Sequence, residues 1–332
     1  MKTPSDLLRR CFLLKPMNTQ EAELLEQLCS IHAPSGSELA LKNFLKEYIQ
    51  AHQSQWKVQP SIIDGEDFQD CMILIFGKPK TAIFAHMDSV GYSVAYDNKL
   101  IKIGGPKAQE GSLLVGQDSQ GKIEGKLHYK IEDETEDEKV IDTVLDFERN
   151  VDRGTTLTYK PQFILSENYI QSNYLDDRLG IWSALKVAET LENGAIVFSA
   201  WEEVGGGSVG YLAKYLYEKH QVRQALISDI TWVTDGVKHG EGVAISMRDS
   251  GIPRRAYIDK IIELAKKADV KFQLEVESAG GSDGNALQNS PYPFDWCFIG
   301  APEDNVHMPN EKVHLSDIEN MHKLYSYLMC HL

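Results

Sequence analysis

Residues 195–207 read AIVFSAWEEVGGG, an apolar run that stops at two adjacent carboxylates and three glycines. The unbroken β-branched and aromatic residues 196–198 are typical of a strand that is covered on both faces of a parallel sheet. Glu202 and Glu203 follow at the carboxyl end of this strand, where open α/β sheets bind their ligands. The three glycines allow the backbone to turn away without crowding that end. We therefore expect the functional part of the chain to be organised around this strand end.

The two adjacent glutamates are open to two interpretations. Neighbouring side chains on an extended segment point to opposite sides, so one of Glu202 and Glu203 could hold a metal ion while the other faces a substrate. The alternative is a pair of solvated glutamates at a strand-to-loop junction, since glutamate side chains are mostly exposed.

The composition indicates a globular protein. Of the 332 residues, 42% are hydrophobic, which is enough for a full core in one large or two modest domains. No apolar run approaches the length of a transmembrane helix, and the apolar segment within residues 1–16 is too short for a signal peptide. These features predict a cytoplasmic protein.

Charge and cysteine content narrow the class of partner. The chain has 34 Lys+Arg against 49 Asp+Glu, a net charge of −15, which argues against nucleic acid or an anionic membrane as a partner. Five cysteines are scattered along the chain without a CxxC pair. We expect reduced, mostly buried thiols, with neither disulfides nor a structural zinc site.

Capping signals and apolar spacing predict the order of helices and strands. Asn18 followed by Glu21 resembles a capping box that opens a helix over residues 19–32. Ser35 with Glu38 repeats the signal and opens a second helix that reaches about residue 53. Further helices are predicted over residues 177–191, 209–220, 254–269 and 315–332, and strands over residues 71–76, 81–85, 224–231, 242–248, 272–277 and 296–299, besides the strand at residue 196.

The pattern changes between residues 89 and 168, where short alternating segments are punctuated by glycines and helical periodicity nearly disappears. This predicts a small β-barrel-like insert, within which the charge run EDETEDEK at residues 132–139 is typical of a solvated loop. Strands alternate with helices on both sides of the insert. The fold class is therefore α/β, with a discontinuous main domain over residues 1–88 and 169–332 and an inserted β-rich domain over residues 89–168.

Acidic residues and histidines occur at five places where a predicted strand ends or a helix begins. Because the strand ends of one parallel sheet converge in space, such a mixed set suits two divalent ions such as zinc, with positions left open for water. The five places are His86 with Asp88, Asp176 with Asp177, Glu202 with Glu203, Asp229, and His307.

The residues alone leave several of these assignments open. The two aspartates that begin a helix are equally ordinary N-terminal carboxylates. Asp229 competes with Asp235, although Asp229 follows a buried strand directly whereas Asp235 precedes a glycine, as a turn aspartate does. His307 competes with His314, and the pattern does not choose between them.

Six segments in register resemble a known family. They are AHMDSVG, YLDDRLG, WEEVGGG, SDIT, AGGSDGNA and VHMPNEKV, and they resemble the di-metal aminopeptidases of the glutamyl-aminopeptidase and tetrahedral-aminopeptidase group, some of which carry the names cellulase M or endoglucanase. The resemblance covers nearly the whole chain, including the glycine-rich insert. It implies a three-layer α/β/α zinc-exopeptidase-like sandwich whose insert contributes to oligomer contacts.

The resemblance also implies a role for each site residue. Glu202 would be the general base, and Asp88 would be the carboxylate behind the first histidine ligand. The implied metal ligands are His86 and Asp229 on one ion, Glu203 and His307 on the other, and Asp176 on both. Two segments depart from the family pattern, since VGGGSVG has glycines where relatives usually carry a bulkier residue and an arginine, and GGSDGNA replaces GGTDAGA.

The implied function is a metal-dependent aminopeptidase that hydrolyses N-terminal residues from peptides, with a water activated by two metals and Glu202 as the base. Zinc is the expected metal, with cobalt or manganese as alternatives, and peptide substrates and a homo-oligomer are the expected partners. A metal-dependent deacylase or amidase acting on N-acyl amino acids would use the same core. A glycosidase, suggested by the endoglucanase names, normally needs two carboxylates and no metal. An inactive peptide-binding relative is the third alternative.

Overall fold

The structure is a computed structural model that describes residues 17–134 and 139–332, without the side chains of residues 131–141. The predictions for residues 1–16 and for Cys11 lie outside the described part. Of the acidic run at residues 132–139, predicted as a loop, residues 132–134 and 139 belong to strands and residues 135–138 lie outside the described part. The other four cysteines are free thiols, as expected. None of the helices in the described ranges has the length and hydrophobicity that a bilayer crossing requires.

Seven helices and seventeen strands are described. The helices are α1 (Thr19–Ser30), α2 (Leu39–His52), α3 (Leu175–Ala188), α4 (Val209–His220), α5 (Arg255–Lys267), α6 (Asp283–Asn289) and α7 (Leu315–His331). The strands are β1 (Ser61–Ile63), β2 (Met72–Phe76), β3 (Thr81–His86), β4 (Gly91–Val94), β5 (Leu100–Ile103), β6 (Leu113–Asp118), β7 (Gly121–Glu134), β8 (Lys139–Asp146), β9 (Thr156–Tyr159), β10 (Phe163–Leu165), β11 (Tyr169–Ser172), β12 (Gly194–Ser199), β13 (Gln224–Trp232), β14 (Val243–Arg248), β15 (Phe272–Val276), β16 (Asp295–Asp304) and β17 (Glu311–His314).

The larger sheet has eleven strands in the order β1-β2-β12-β3-β13-β16-β17-β11-β10, and β14 and β15 extend it from the side of β16. Its centre is parallel, because β12 and β13 flank β3 in the same direction and β16 continues beyond β13. The strand predicted at residue 196 is therefore a central strand with both faces buried. This explains its unbroken apolar sequence.

Helices cover both faces of this sheet. Alternate residues of β3 divide between two cores, with Ile83 in one and Phe84 in the other, as period-two alternation requires. Helices α1, α2, α3, α5 and α7 pack on the first face, and α4 and α6 pack on the second. The three-layer α/β/α expectation is confirmed.

The insert forms a separate six-stranded sheet in the order β5-β4-β9-β6-β7-β8. A bridge between Lys99 and Val144 brings its two edges together, so the sheet is a nearly closed barrel with its own apolar core. Strand β10 (Phe163–Leu165), which falls inside the predicted insert, pairs with β11 in the larger sheet. The two sheets therefore divide near residue 160, and the division of the chain into two domains stays a prediction.

One of the two predicted capping boxes forms. Asn18 accepts a hydrogen bond from the Glu21 N–H at 3.0 Å, and the Glu21 carboxylate accepts from the Asn18 N–H at 2.9 Å. The box predicted at Ser35 and Glu38 is wrong, because the Ser35 hydroxyl donates to the Asp88 carboxylate at 2.6 Å instead of capping α2. The Ser35 side chain therefore makes a long-range contact in place of the local cap.

Candidate metal centre at the strand ends

Parallel register brings the predicted site residues to one edge of the larger sheet. Strand β3 is aligned with β12 so that His86 lies beside Ser199, and with β13 so that Phe84 lies beside Ile227. Two residues beyond the second pair, His86 and Asp229 lie at the same level on adjacent strands. Glu202 and Glu203 follow the end of β12 on the other side.

His86 is surrounded by carboxylates on both ring nitrogens. Its Nε2 lies 3.1 Å from Asp176 Oδ1, 3.6 Å from Asp229 Oδ2 and 4.0 Å from Glu202 Oε2. Its Nδ1 lies 3.1 Å from the carbonyl oxygen of Asp88 and 3.4 Å from the Asp88 carboxylate. The Asp88 carboxylate therefore stands behind His86, which is the arrangement that fixes the ring of a histidine ligand.

His307 approaches the same centre from the far side. Its Nε2 lies 3.3 Å from Asp176 Oδ2 and 3.3 Å from Glu203 Oε2. Two groups of three residues thus have ligand atoms within 4.8 Å of one another, and they are His86, Asp176 and Asp229, and Asp176, Glu203 and His307. Asp176 belongs to both groups, with one carboxylate oxygen facing each histidine.

The turn that carries the two glutamates is not extended. Trp201 adopts a left-handed conformation with φ of 62° at the end of β12, and Glu202–Val204 form a single 3₁₀ turn. The Asp88 carboxylate holds this turn, because Oδ1 accepts from the Glu202 N–H at 3.0 Å and Oδ2 from the Glu203 N–H at 3.1 Å. The two side chains still approach different histidines, although the reason is the turn and not strand alternation.

The two aspartates at the start of α3 have different environments. Asp177 is fully buried and accepts hydrogen bonds from the Gly180 N–H at 2.9 Å and from the His86 N–H at 3.1 Å. Asp177 therefore links the start of α3 to the end of β3 through these hydrogen bonds. Asp176 has non-helical backbone angles (φ −78°, ψ 106°), and its carboxylate faces the two histidines.

The structure also separates the competing candidates. Asp235 lies in an exposed turn beyond β13, 3.9 Å from Lys238, whereas Asp229 is buried beside His86. His314 accepts a hydrogen bond from the Ser316 N–H at the start of α7 and packs edge-on against Tyr169. His307, not His314, reaches the cluster.

The cluster concentrates carboxylates in one cavity. Asp176, Glu202, Glu203 and Asp229 line one cavity, and no lysine or arginine is among the described residues that line it. Glu203 Oε1 is buried without a hydrogen-bond partner within the described chain. Because buried charges are costly unless they are paired, these residues fit divalent cations, and the nitrogen and oxygen donor set is one that zinc accepts.

The pKa values follow from this crowding. Burial raises the pKa of Asp229 to about 7, and the nearby Asp176 carboxylate adds to the shift. Burial and the Asp176 charge also raise the pKa of Glu203 well above its usual value. Burial would lower the pKa of His86, but the surrounding carboxylates raise it well above its usual value. The cluster therefore favours a bound positive charge.

A buried carboxylate that the sequence analysis missed supports two of the implied ligands. Glu311 is fully buried on β17, and its carboxylate accepts from the Asp176 N–H at 3.3 Å and from the His307 N–H at 3.1 Å. The buried guanidinium of Arg178 similarly donates to the backbone oxygen of Met87, next to the first histidine. The sequence feature that could have identified Glu311 is its position in VHMPNEKV, one of the six segments that resemble the known family.

We expect Glu311→Gln to weaken metal binding by about 10- to 100-fold, the usual cost of losing a partner of a metal ligand. The amide of glutamine offers one acceptor oxygen where two backbone N–H groups need acceptors. Calorimetric titration of metal-free protein with zinc would measure the change. Glu241→Gln, which removes an exposed carboxylate paired with Lys271, is the control. Equal zinc affinity in both variants would contradict this positioning role.

Comparison with known proteins places the chain in a family. Residues 73–324 match the family model described as M42 glutamyl aminopeptidase. The chain belongs to this family. The M42 family is metal-dependent, and the chain has the two candidate ligand groups described above.

A relative and two solved structures illustrate the similarity. The chain is 29% identical to a protein of Acetivibrio thermocellus named "Putative aminopeptidase", over 54% of this chain and 57% of that protein, so it spans little more than half of this curated relative. An aminopeptidase of the archaeon Desulfurococcus kamchatkensis has a TM-score of 0.78 at 24% identity, covering 93% of this chain and 94% of the other. The TET1 peptidase of Pyrococcus horikoshii has a TM-score of 0.76 at 21% identity, covering 94% and 100%. These likenesses support the fold.

Proposed function

We propose that the protein is a metal-dependent aminopeptidase that removes N-terminal residues from peptides. The observation that carries this proposal is the shared aspartate, because Asp176 presents one oxygen to each of two histidine and carboxylate groups. Membership in the M42 family and the aminopeptidase relatives support the same reaction class.

The residues around the shared aspartate divide into ligands and a base. One ion would be held by His86, Asp176 and Asp229, and the other by Asp176, Glu203 and His307. Bound divalent ions supply polarisation of the scissile carbonyl and activation of water at neutral pH. Glu202 belongs to neither group, and its side chain remains 17% exposed to the cavity.

Glu202 would act as the general base and acid. Its Oε2 lies 4.0 Å from His86 Nε2, which puts the carboxylate beside the ligand cluster without making it a member. From this position Oε2 would take a proton from the attacking water and return it to the leaving amine. Asp88 would keep His86 oriented and would fix the backbone turn that carries Glu202, through the hydrogen bonds described above.

Hydrolysis of aminoacyl anilides by metal-free protein, before and after addition of zinc, cobalt or manganese, tests the proposal. We expect activity only with added metal and only on free N-termini, whereas N-acetylated substrates should resist cleavage. Each effective metal should also raise the melting temperature, since a ligand at 100 times its Kd stabilises the folded state by about 2.7 kcal/mol. Preferential cleavage of the N-acylated substrates would instead indicate a deacylase.

We also propose that the chain forms a homo-oligomer. The Pyrococcus horikoshii TET1 peptidase assembles into a tetrahedron or an octahedral shell, and this chain shares its fold. Tyr96 and Ile101 of the insert are 59% and 60% exposed, as subunit contacts would require. Light scattering of the purified protein would measure the mass, and a mass of one chain would contradict the proposal.

A further inference from the structure

The cavity at the candidate metal centre continues beyond it along β13. Its volume is about 380 Å³, within the usual range of ligand pockets, about 300–1,000 Å³. Ile230 and Trp232 line it, and so do Asp229 and Thr231, which lie two residues apart on the strand. Their Cα atoms are about 7 Å apart at the usual rise of a strand. The pocket therefore extends about one side-chain length from the ligand cluster.

The far end of this pocket is acidic. Asp249, Glu275 and Glu277 line it, and none of them belongs to the candidate ligand groups. Glu275 is 4% exposed on β15 and accepts a hydrogen bond from the Thr231 hydroxyl. Asp249 is 5% exposed and accepts from the Gly251 N–H at 2.6 Å. We call these three carboxylates the acidic wall.

No lysine or arginine is among the described residues that line this pocket. Arg248, next to Asp249 in the chain, directs its guanidinium to the backbone oxygen of Asp249 at 3.2 Å. Lys107 places its Nζ over the Trp232 ring, 6.0 Å from the centroid, and does not line the pocket. A negative wall inside a cleft attracts a positive ligand group and repels a negative one.

We propose that the acidic wall receives the side chain of the substrate's N-terminal residue and selects lysine or arginine. This inference rests on the proposed aminopeptidase function. A lysine side chain reaches about 6 Å from its Cα, which is comparable with the spacing of about 7 Å from Asp229 to Thr231, whose hydroxyl contacts Glu275 of the wall. Its aliphatic stem would lie along the apolar lining of Phe298 and Trp232 while the ammonium meets the carboxylates.

Both segments that depart from the family pattern lie at this pocket. Gly206 of VGGGSVG and Asn285 of GGSDGNA are among its lining residues. A side chain at Gly206 would stand 3.1 Å from Ala286, so a bulkier residue there would press against the opposite wall. The glycines therefore leave room in the pocket for a long substrate side chain.

A panel of anilides of lysine, norleucine, leucine and glutamate, with the metal-loaded full chain, tests the inference. Norleucine has the same four-carbon stem as lysine without the ammonium group, so the ratio of their kcat/KM values isolates the charge. We expect lysine to exceed norleucine by at least about tenfold and glutamate to be the poorest substrate.

Variants connect the ratio to the acidic wall. Glu275→Gln and Asp249→Asn should each lower the ratio of lysine to norleucine, and Glu263→Gln, an exposed carboxylate on α5 paired with Lys267, should leave it unchanged. If either variant fails to fold, the ratio of lysine to norleucine cleavage by the unchanged protein still tests the proposed selectivity. Equal or faster cleavage of norleucine or glutamate anilide would overturn the selectivity and leave the aminopeptidase proposal standing. Cleavage of no anilide with any metal would refute both.

Discussion

Glu202→Gln is expected to lower kcat by about 100- to 10,000-fold while both metal ions remain bound. Glutamine has nearly the same shape as glutamate, but its amide cannot accept a proton from water at neutral pH. Glu202 is absent from both candidate ligand groups, so its replacement should leave the donor atoms in place. Steady-state kinetics on leucine and lysine anilides, with elemental analysis of the same sample, would measure both quantities.

The control for this variant is Glu218→Gln on α4, which removes an exposed carboxylate that accepts from the Tyr292 hydroxyl at 3.3 Å. Its kcat should match that of the unchanged protein. A Glu202→Gln protein that retains full activity would show that another group moves the proton. Loss of metal from this variant would instead make Glu202 a ligand.

Asp176→Asn is expected to remove both ions and to reduce kcat/KM by more than about 100-fold. Loss of a residue that only hydrogen-bonds to a metal ligand lowers metal affinity or activity by about 10- to 100-fold. Asp176 should matter more, because it is the residue common to the two candidate ligand groups. An asparagine keeps one oxygen, but it loses the charge and the second oxygen that faces His307. Metal content by elemental analysis and kcat/KM on the same anilides would be compared.

Two further variants sharpen this result. Asp229→Asn should affect the group around His86 alone, so a stoichiometry near one ion would contrast with the loss of both from Asp176→Asn. Asp235→Asn, at the competing position in the exposed turn, should keep both ions and full activity. Retention of two ions by Asp176→Asn would contradict a shared ligand.

Local sequence predicted the longer elements that bury one face or both faces. The run at residues 196–198 and the helix over Val209–His220 follow from apolar pattern alone, because burial imposes that pattern. Strand β17 and helix α6 were missed, since they are short and carry little periodicity. Strand β16 extends five residues beyond its predicted end, through residues that pair with β17.

The candidate site could be predicted only in part. His86, Asp88, Glu202 and Glu203 stand at ends of apolar strands, so pattern and position selected them. His307 has a left-handed backbone (φ 67°) after β16, and no periodic pattern marks that position. It was chosen over His314 by family resemblance alone.

The sequence by itself determined the α/β class, the β-rich insert, the capping box at Asn18 and the strand that ends at the glutamate pair. These depend on local periodicity and on turn and cap chemistry, which a few neighbouring residues encode. Only the tertiary structure decided that Asp176 faces two histidines, that Asp88 holds the glutamate turn, and that Glu311 supports the site. Those contacts join residues up to 135 positions apart. They follow from the order in which the strands pair, and no local segment of the chain determines that order.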